Sequence, residues 1–113
     1  MAKRRRESAA ITRGSANVFE DLAYADATER QAKLRLAYAL NQVLEQRRLT
    51  QTAAAALLGL SQPKVSALRN YKLTGFSVER LMTFLTALGQ DVEIVIKNKP
   101  RSRPLARITV VAA

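Results

Sequence analysis

The chain has no cysteine, so disulfides and thiolate metal sites are excluded, a composition that fits a reducing compartment without requiring one. It has no histidine either, which removes the commonest general base and the commonest metal ligand and argues against an enzyme. Long apolar runs are missing. The longest, Ala53 to Leu60, is eight residues, against the roughly 20 that a bilayer-spanning helix needs. The opening Lys3-Arg4-Arg5-Arg6 is followed by polar sequence rather than an apolar stretch, so it does not read as an export signal. A cytoplasmic protein with no cofactor and no membrane partner is expected. Aromatic residues are few, three Phe and three Tyr, too few for the base-stacking platforms of single-stranded RNA binders.

What is present is positive charge: 19 basic against 9 acidic residues, net +10. A nucleic-acid binder, a membrane-surface binder and a merely soluble basic protein all fit that total. Its distribution narrows the choice. Between Glu45 and Glu79 there is no acidic residue, while Arg47, Arg48, Lys64, Arg69 and Lys72 fall inside. A bland solvated surface mixes signs, so this stretch is suited to face a polyanion.

At 113 residues the chain is long enough for one modest core. Residues 1–17 lack sustained apolar periodicity and read as a flexible basic arm, whose Lys3 to Arg6 run is either without fixed contacts or reaches into a minor groove. Residues 18–90 read as a helical domain, and 91–113 as a C-terminal extension. Asp26-Ala27-Thr28-Glu29 has the letters of a capping box opening a helix to about Arg47. Leu34, Ala37, Tyr38, Leu40, Val43 and Leu44 form its expected buried stripe, with Lys33, Arg35, Gln42 and Glu45 opposite. Arg47-Arg48 suits either a helix C-terminal cap or a phosphate clamp.

Thr50 caps a short helix, Gln51 to Leu58, which Gly59 stops. Ser61 caps another, Gln62 to about Asn70, with Pro63 tolerated in its first turn. Tyr71 to Phe76 is a loop, and Ser77 caps a last helix, Val78 to Leu88, ended by Gly89. The pattern then alternates with period 2: Asp91 to Lys97 is an expected strand with Val92, Ile94 and Ile96 on one face. A basic, proline-bounded linker from Lys97 to Pro104 leads to a second β-rich stretch, Leu105 to Val111. The lone strand edge needs a mate, in its own chain or in a second copy.

Two short helices joined by a tight Gly-containing turn make a helix-turn-helix. Ala55 is small where the second helix crosses it, Gly59 turns the chain, and Val65 and Leu68 are expected to bury against Leu57 and Leu58. Gln62, Lys64, Ser66, Ala67 and Arg69 then point outward. Each has a plainer alternative: a first-turn helix residue for Gln62, solvated charges for Lys64 and Arg69.

The stretch resembles the helix-turn-helix of the XRE family, which includes the lambdoid phage repressors and Cro, in Gln51, Ala55, Leu58-Gly59 and Ser61-Gln62-Pro63-Lys64-Val65-Ser66. With Phe19-Glu20-Asp21-Leu22, Leu49-Thr50-Gln51, Gly75-Phe76-Ser77, Arg80-Leu81 and Leu88 to Ile94, it is similar to a HigA-like antitoxin subfamily over about residues 18–97. One departure is that many relatives end the reading helix in Arg-Gly or Asn-Gly, where Arg69-Asn70-Tyr71-Lys72 stands here.

The resemblance implies a mainly α, lambda-repressor-like domain of four to five helices, followed by one or two C-terminal β-strands. It implies a sequence-specific repressor that binds double-stranded operator DNA as a homodimer, with a RelE/HigB-like toxin as second partner. It places Gln62, Ser66 and Ala67 at base edges, and Gln51, Ser61, Lys64, Arg69, Asn70 and Lys72 at phosphates. The acidic group Glu20, Asp21, Asp26 and Glu29, beside Val18, Phe19 and Leu22, is either a docking surface for the toxin or ordinary helix capping and packing.

Overall fold

The computed structural model describes the backbone of residues 11–112 and the side chains of residues 22–112. Among the described residues four helices follow one another: α1 (Ile11–Gln46), α2 (Gln51–Leu58), α3 (Gln62–Arg69) and α4 (Val78–Ala87). The first ten residues of the expected basic arm, with its Lys3 to Arg6 run, lie outside the described residues, whereas residues 11–17 are already helical. The side chains of Val18, Phe19, Glu20 and Asp21 also lie outside the described set.

α1 corrects the expected start at Asp26. The helix runs straight through the capping-box letters, because no proline interrupts it and Leu22, Ala23, Ala25, Ala27 and Ala32 favour helix strongly. Asp26 and Glu29 stand four residues before Arg30 and Lys33, a spacing that supports an existing helix as well as a new one. Thr28 Oγ1 donates back to the Ala25 carbonyl at 2.9 Å, so it serves the helix interior rather than an end.

The buried stripe of α1 is Ala32, Leu36, Ala37, Leu40, Asn41 and Leu44. Leu34 and Tyr38, expected inside, are 45% and 57% exposed. The reason is angular: each is two residues from Leu36, about 200° around the helix. Lys33 is half-buried.

Against that stripe the other helices assemble one core. α1 packs chiefly on α4, and α2 on α3. Leu40 and Leu44 of α1, Val65 and Leu68 of α3, and Leu81 and Leu88 around α4 are fully enclosed. Leu73 and Phe76 close the core from the α3–α4 loop, with Phe76 edge-on to Phe84 at 6.1 Å between ring centroids. Arg47 neither caps its own helix nor points away: its guanidinium donates to the Leu88 carbonyl at the end of α4, tying the two helix ends together.

Beyond Gly89 (φ 78°) the expected strands are absent among the described residues. Of residues 91–97 only Val92 packs on the core, while Ile94, Val95 and Ile96 are 74–93% exposed. Leu105 to Val111 does not pair with them. It crosses α1 instead, where the Arg35 guanidinium donates to the Val110 carbonyl at 3.1 Å and Val110 rests on the core. Alternating residues give a segment one apolar face, but a strand forms only where a neighbour satisfies its backbone donors and acceptors. Among the described residues no neighbour does so here.

Candidate nucleic-acid interface

α2 and α3 are each set by their ends. Thr50 accepts a bond from the Ala53 N–H at 3.1 Å, and Ser61 from the Lys64 N–H at 3.4 Å, both with extended backbones. Gly59, at φ 69° and ψ 34°, turns the chain while Leu60 N–H bonds the Ala55 carbonyl at 2.9 Å. An L-residue side chain at that φ is strained even though nothing lies within 4 Å of where it would start. Ala54, Ala55 and Leu58 of α2 meet Val65 and Leu68 of α3. Leu57 is 46% exposed and does not join them, since it lies one residue, about 100°, away from Leu58 on a short helix.

α3 therefore has one buried edge, and the predicted contact residues lie on or beside the rest. Gln51, Ser61, Gln62, Lys64, Asn70 and Lys72 are exposed; Ser66, Ala67 and Arg69 are half-buried, Ala67 against the core. Gln62 Nε2 donates to Thr52 Oγ1 at 3.2 Å, linking the start of α3 to α2. This uses one amide proton and leaves the other proton and Oε1, the pair needed for a bidentate contact with adenine. Thr52 was not evident in the sequence, because the contact crosses between helices.

The positively charged neighbours are also positioned. Lys64 Nζ sits 5.6 Å from the Phe76 ring centroid and 3.3 Å from where a side chain on Gly75 would begin. Asn70 Nδ2 donates to the Ser66 carbonyl at 2.8 Å and reaches its Oγ at 3.5 Å. Tyr71 answers the departure from Gly at the helix end: it adopts φ 60° itself. Tyr71 N–H bonds the Leu68 carbonyl at 3.2 Å and Lys72 N–H the Ala67 carbonyl at 2.8 Å, the Schellman pattern that glycine usually makes. Thus Lys72 follows α3 in the geometry a glycine would give.

Asn41 escapes a reading by periodicity, although a lone amide on a buried stripe is a usable signal. It is 9% exposed, and its Nδ2 donates to the Leu68 carbonyl at 3.2 Å, fastening the last turn of α3 to α1. Its Oδ1 is buried without a partner. Among the described residues no group of three or more His, Cys, Asp or Glu could hold a metal ion, and no helix is long and apolar enough to cross a membrane.

Two capped helices clamped around a left-handed glycine, with a cationic outer edge, define a helix-turn-helix protein. A helix-turn-helix domain family matches residues 18–97. A solved structure described as a candidate XRE-family transcriptional regulator is 76% identical, with a TM-score of 0.74, covering 78% of this chain and 99% of its own. No curated protein matches. The chain belongs to the XRE type of helix-turn-helix protein, a family of transcriptional regulators and not of enzymes.

Proposed function

We propose that the chain is a sequence-specific DNA-binding repressor that lays α3 in the major groove of an operator. The observation that carries this reading is the α2–α3 pair itself: a rigid, capped unit with no acidic residue from Gln46 to Val78 and its polar side chains outward. In this reading Gln62, Ser66 and Ala67 face base edges, and Gln51, Ser61, Lys64, Arg69, Asn70 and Lys72 hold phosphates. Thr52 sets the orientation of the Gln62 amide. The name of the 76% identical relative supports the regulatory role.

Operator recognition by two half-sites calls for a homodimer, and the exposed Ile94 to Ile96 segment supplies its contact. We further propose an antitoxin of the HigA-like kind that represses its own operon. Support comes from the outer half of α1: residues 22–31 are exposed or half-buried, Leu22 is 58% exposed, and Glu20, Asp21, Asp26 and Glu29 oppose the sign of the rest of the chain. That stretch suits a basic partner, a RelE/HigB-like ribonuclease toxin. A stand-alone regulator would lack that partner.

The test separates base from backbone contacts. Gln62→Ala loses about 1–3 kcal/mol at DNA selected from a random pool while non-specific affinity stays nearly intact; Lys64→Ala weakens all sequences alike. Identical behaviour of the two variants in a gel-shift titration would overturn the assignment.

A further inference from the structure

Part of the positive charge that the helix-turn-helix does not use forms an acid-free group in the C-terminal extension. From Ile94 to the end there is no acidic residue, and Lys97, Lys99, Arg101, Arg103 and Arg107 fall within eleven residues. All are exposed except half-buried Arg103. Packing so many like charges into one short segment is unfavourable in isolation and becomes favourable beside a polyanion.

This segment is shaped, not merely charged. Arg103 N–H bonds the Pro100 carbonyl at 3.2 Å, Lys99 Nζ donates to the Arg103 carbonyl at 3.0 Å, and Arg103 Nη1 donates to the Leu105 carbonyl at 2.9 Å. The result is a proline-bounded basic turn held at both ends. On one side Val92 packs on the core; on the other Val110 does, with Arg35 bonding its carbonyl. The far anchor also adjoins the end of the reading helix: Val110, Val111 and Ala112 share a groove of about 500 Å³ with Leu34, Tyr38 and Tyr71, and Tyr71 is the left-handed residue that follows the cap of α3.

We propose that the turn spanning residues 97–107 is a second DNA-contacting site, which grips the phosphate backbone flanking the half-site read by α3. The proposal rests on the DNA-binding reading above. Its chemistry is charge neutralisation without base recognition, so it adds affinity and salt dependence but no sequence preference. Lys99 and Arg103 also hold the turn, while Lys97, Arg101 and Arg107 are available to meet phosphates.

The experiment replaces Lys97, Arg101 and Arg107 together by Gln in the full chain, keeping Lys99 and Arg103, which hold the turn. Binding to a random-sequence duplex is measured by fluorescence anisotropy across a salt series. The slope of log affinity against log salt flattens by about 2 to 3, roughly 0.9 for each phosphate no longer neutralised. Hydroxyl-radical protection of a pool-selected duplex shrinks at its flanks while its centre persists. Arg30→Gln with Lys33→Gln removes two positive charges from α1, away from the turn, and leaves slope and footprint in place. An unchanged slope in the threefold variant, with Lys64→Ala still weakening binding, overturns this inference alone. Loss of binding to anionic phospholipid vesicles with the DNA slope retained also overturns it, in favour of a membrane contact. A wild-type chain that binds no duplex at all takes down both readings.

Discussion

Residues 50–89 and residues 90–112 carry equally clear patterns, yet one became the expected structure and the other did not. In the first region each helix is bracketed by signals that act within a few residues. Thr50, Ser61 and Ser77 accept the N–H bonds of their own first turns, and Gly59 and Gly89 take the left-handed conformation that stops a helix. In the second, alternating Val92, Ile94 and Ile96 imply a face but not a mate. Capping is chemistry that a segment completes alone; strand pairing is not.

The largest effects should separate the two regions directly. Leu68 is fully buried where α3 meets α1, so Leu68→Ala lowers the unfolding free energy by about 2–5 kcal/mol. Ile96 is 93% exposed, and Ile96→Asp leaves the fold of a single chain nearly unchanged. If Ile94 to Ile96 joins two copies, the same Ile96→Asp variant halves the mass seen by light scattering at micromolar concentration. A strongly destabilised Ile96→Asp monomer would break the contrast, because it would mean that the segment is bound within its own chain.

Most of the helix-turn-helix was legible in the sequence for that local reason, down to the residues of both caps and the turn. What escaped were contacts between segments. The register of the α1 stripe slipped at Leu34 and Tyr38, since period alone does not say which of two apolar edges meets the core. The Gln62–Thr52 bond and the reach of Arg47 to Leu88 join residues ten and forty-one positions apart. Asn41 is the most instructive omission. Its amide holds the last turn of α3, but the Leu68 carbonyl also accepts from Tyr71 N–H, and Asn41 Oδ1 is buried without a partner. Replacing it by Leu therefore removes a buried unsatisfied acceptor without creating another. Asn41→Leu should keep or raise stability by about 1 kcal/mol, while freeing α3 to rotate. The measurable consequence is a severalfold loss of discrimination between selected and random duplexes. Equal discrimination in a stable Asn41→Leu variant would show that Asn41 does not orient the reading helix.

The smallest effects concern helix ends that break the glycine rule. Arg48 at φ 54° and Tyr71 at φ 60° occupy the position that Gly89 fills after α4, and Arg48 is followed by the same bond pattern, Leu49 N–H to the Leu44 carbonyl at 3.1 Å. A left-handed L-residue costs about 1–2 kcal/mol, and a glycine returns part of that through the larger entropy of the unfolded chain, about 0.5–1 kcal/mol. Arg48→Gly should thus stabilise by about 0.5–1 kcal/mol, since the exposed side chain has little packing to lose. Tyr71 differs because its ring lines the groove with Leu34 and Tyr38. Tyr71→Gly gains the same backbone relief but gives up that apolar packing, so the two effects nearly cancel. Urea midpoints at unchanged slope read both changes. If Tyr71→Gly stabilises as much as Arg48→Gly, the ring contributes nothing to the groove; if neither does, the left-handed turns after α1 and α3 are not strained.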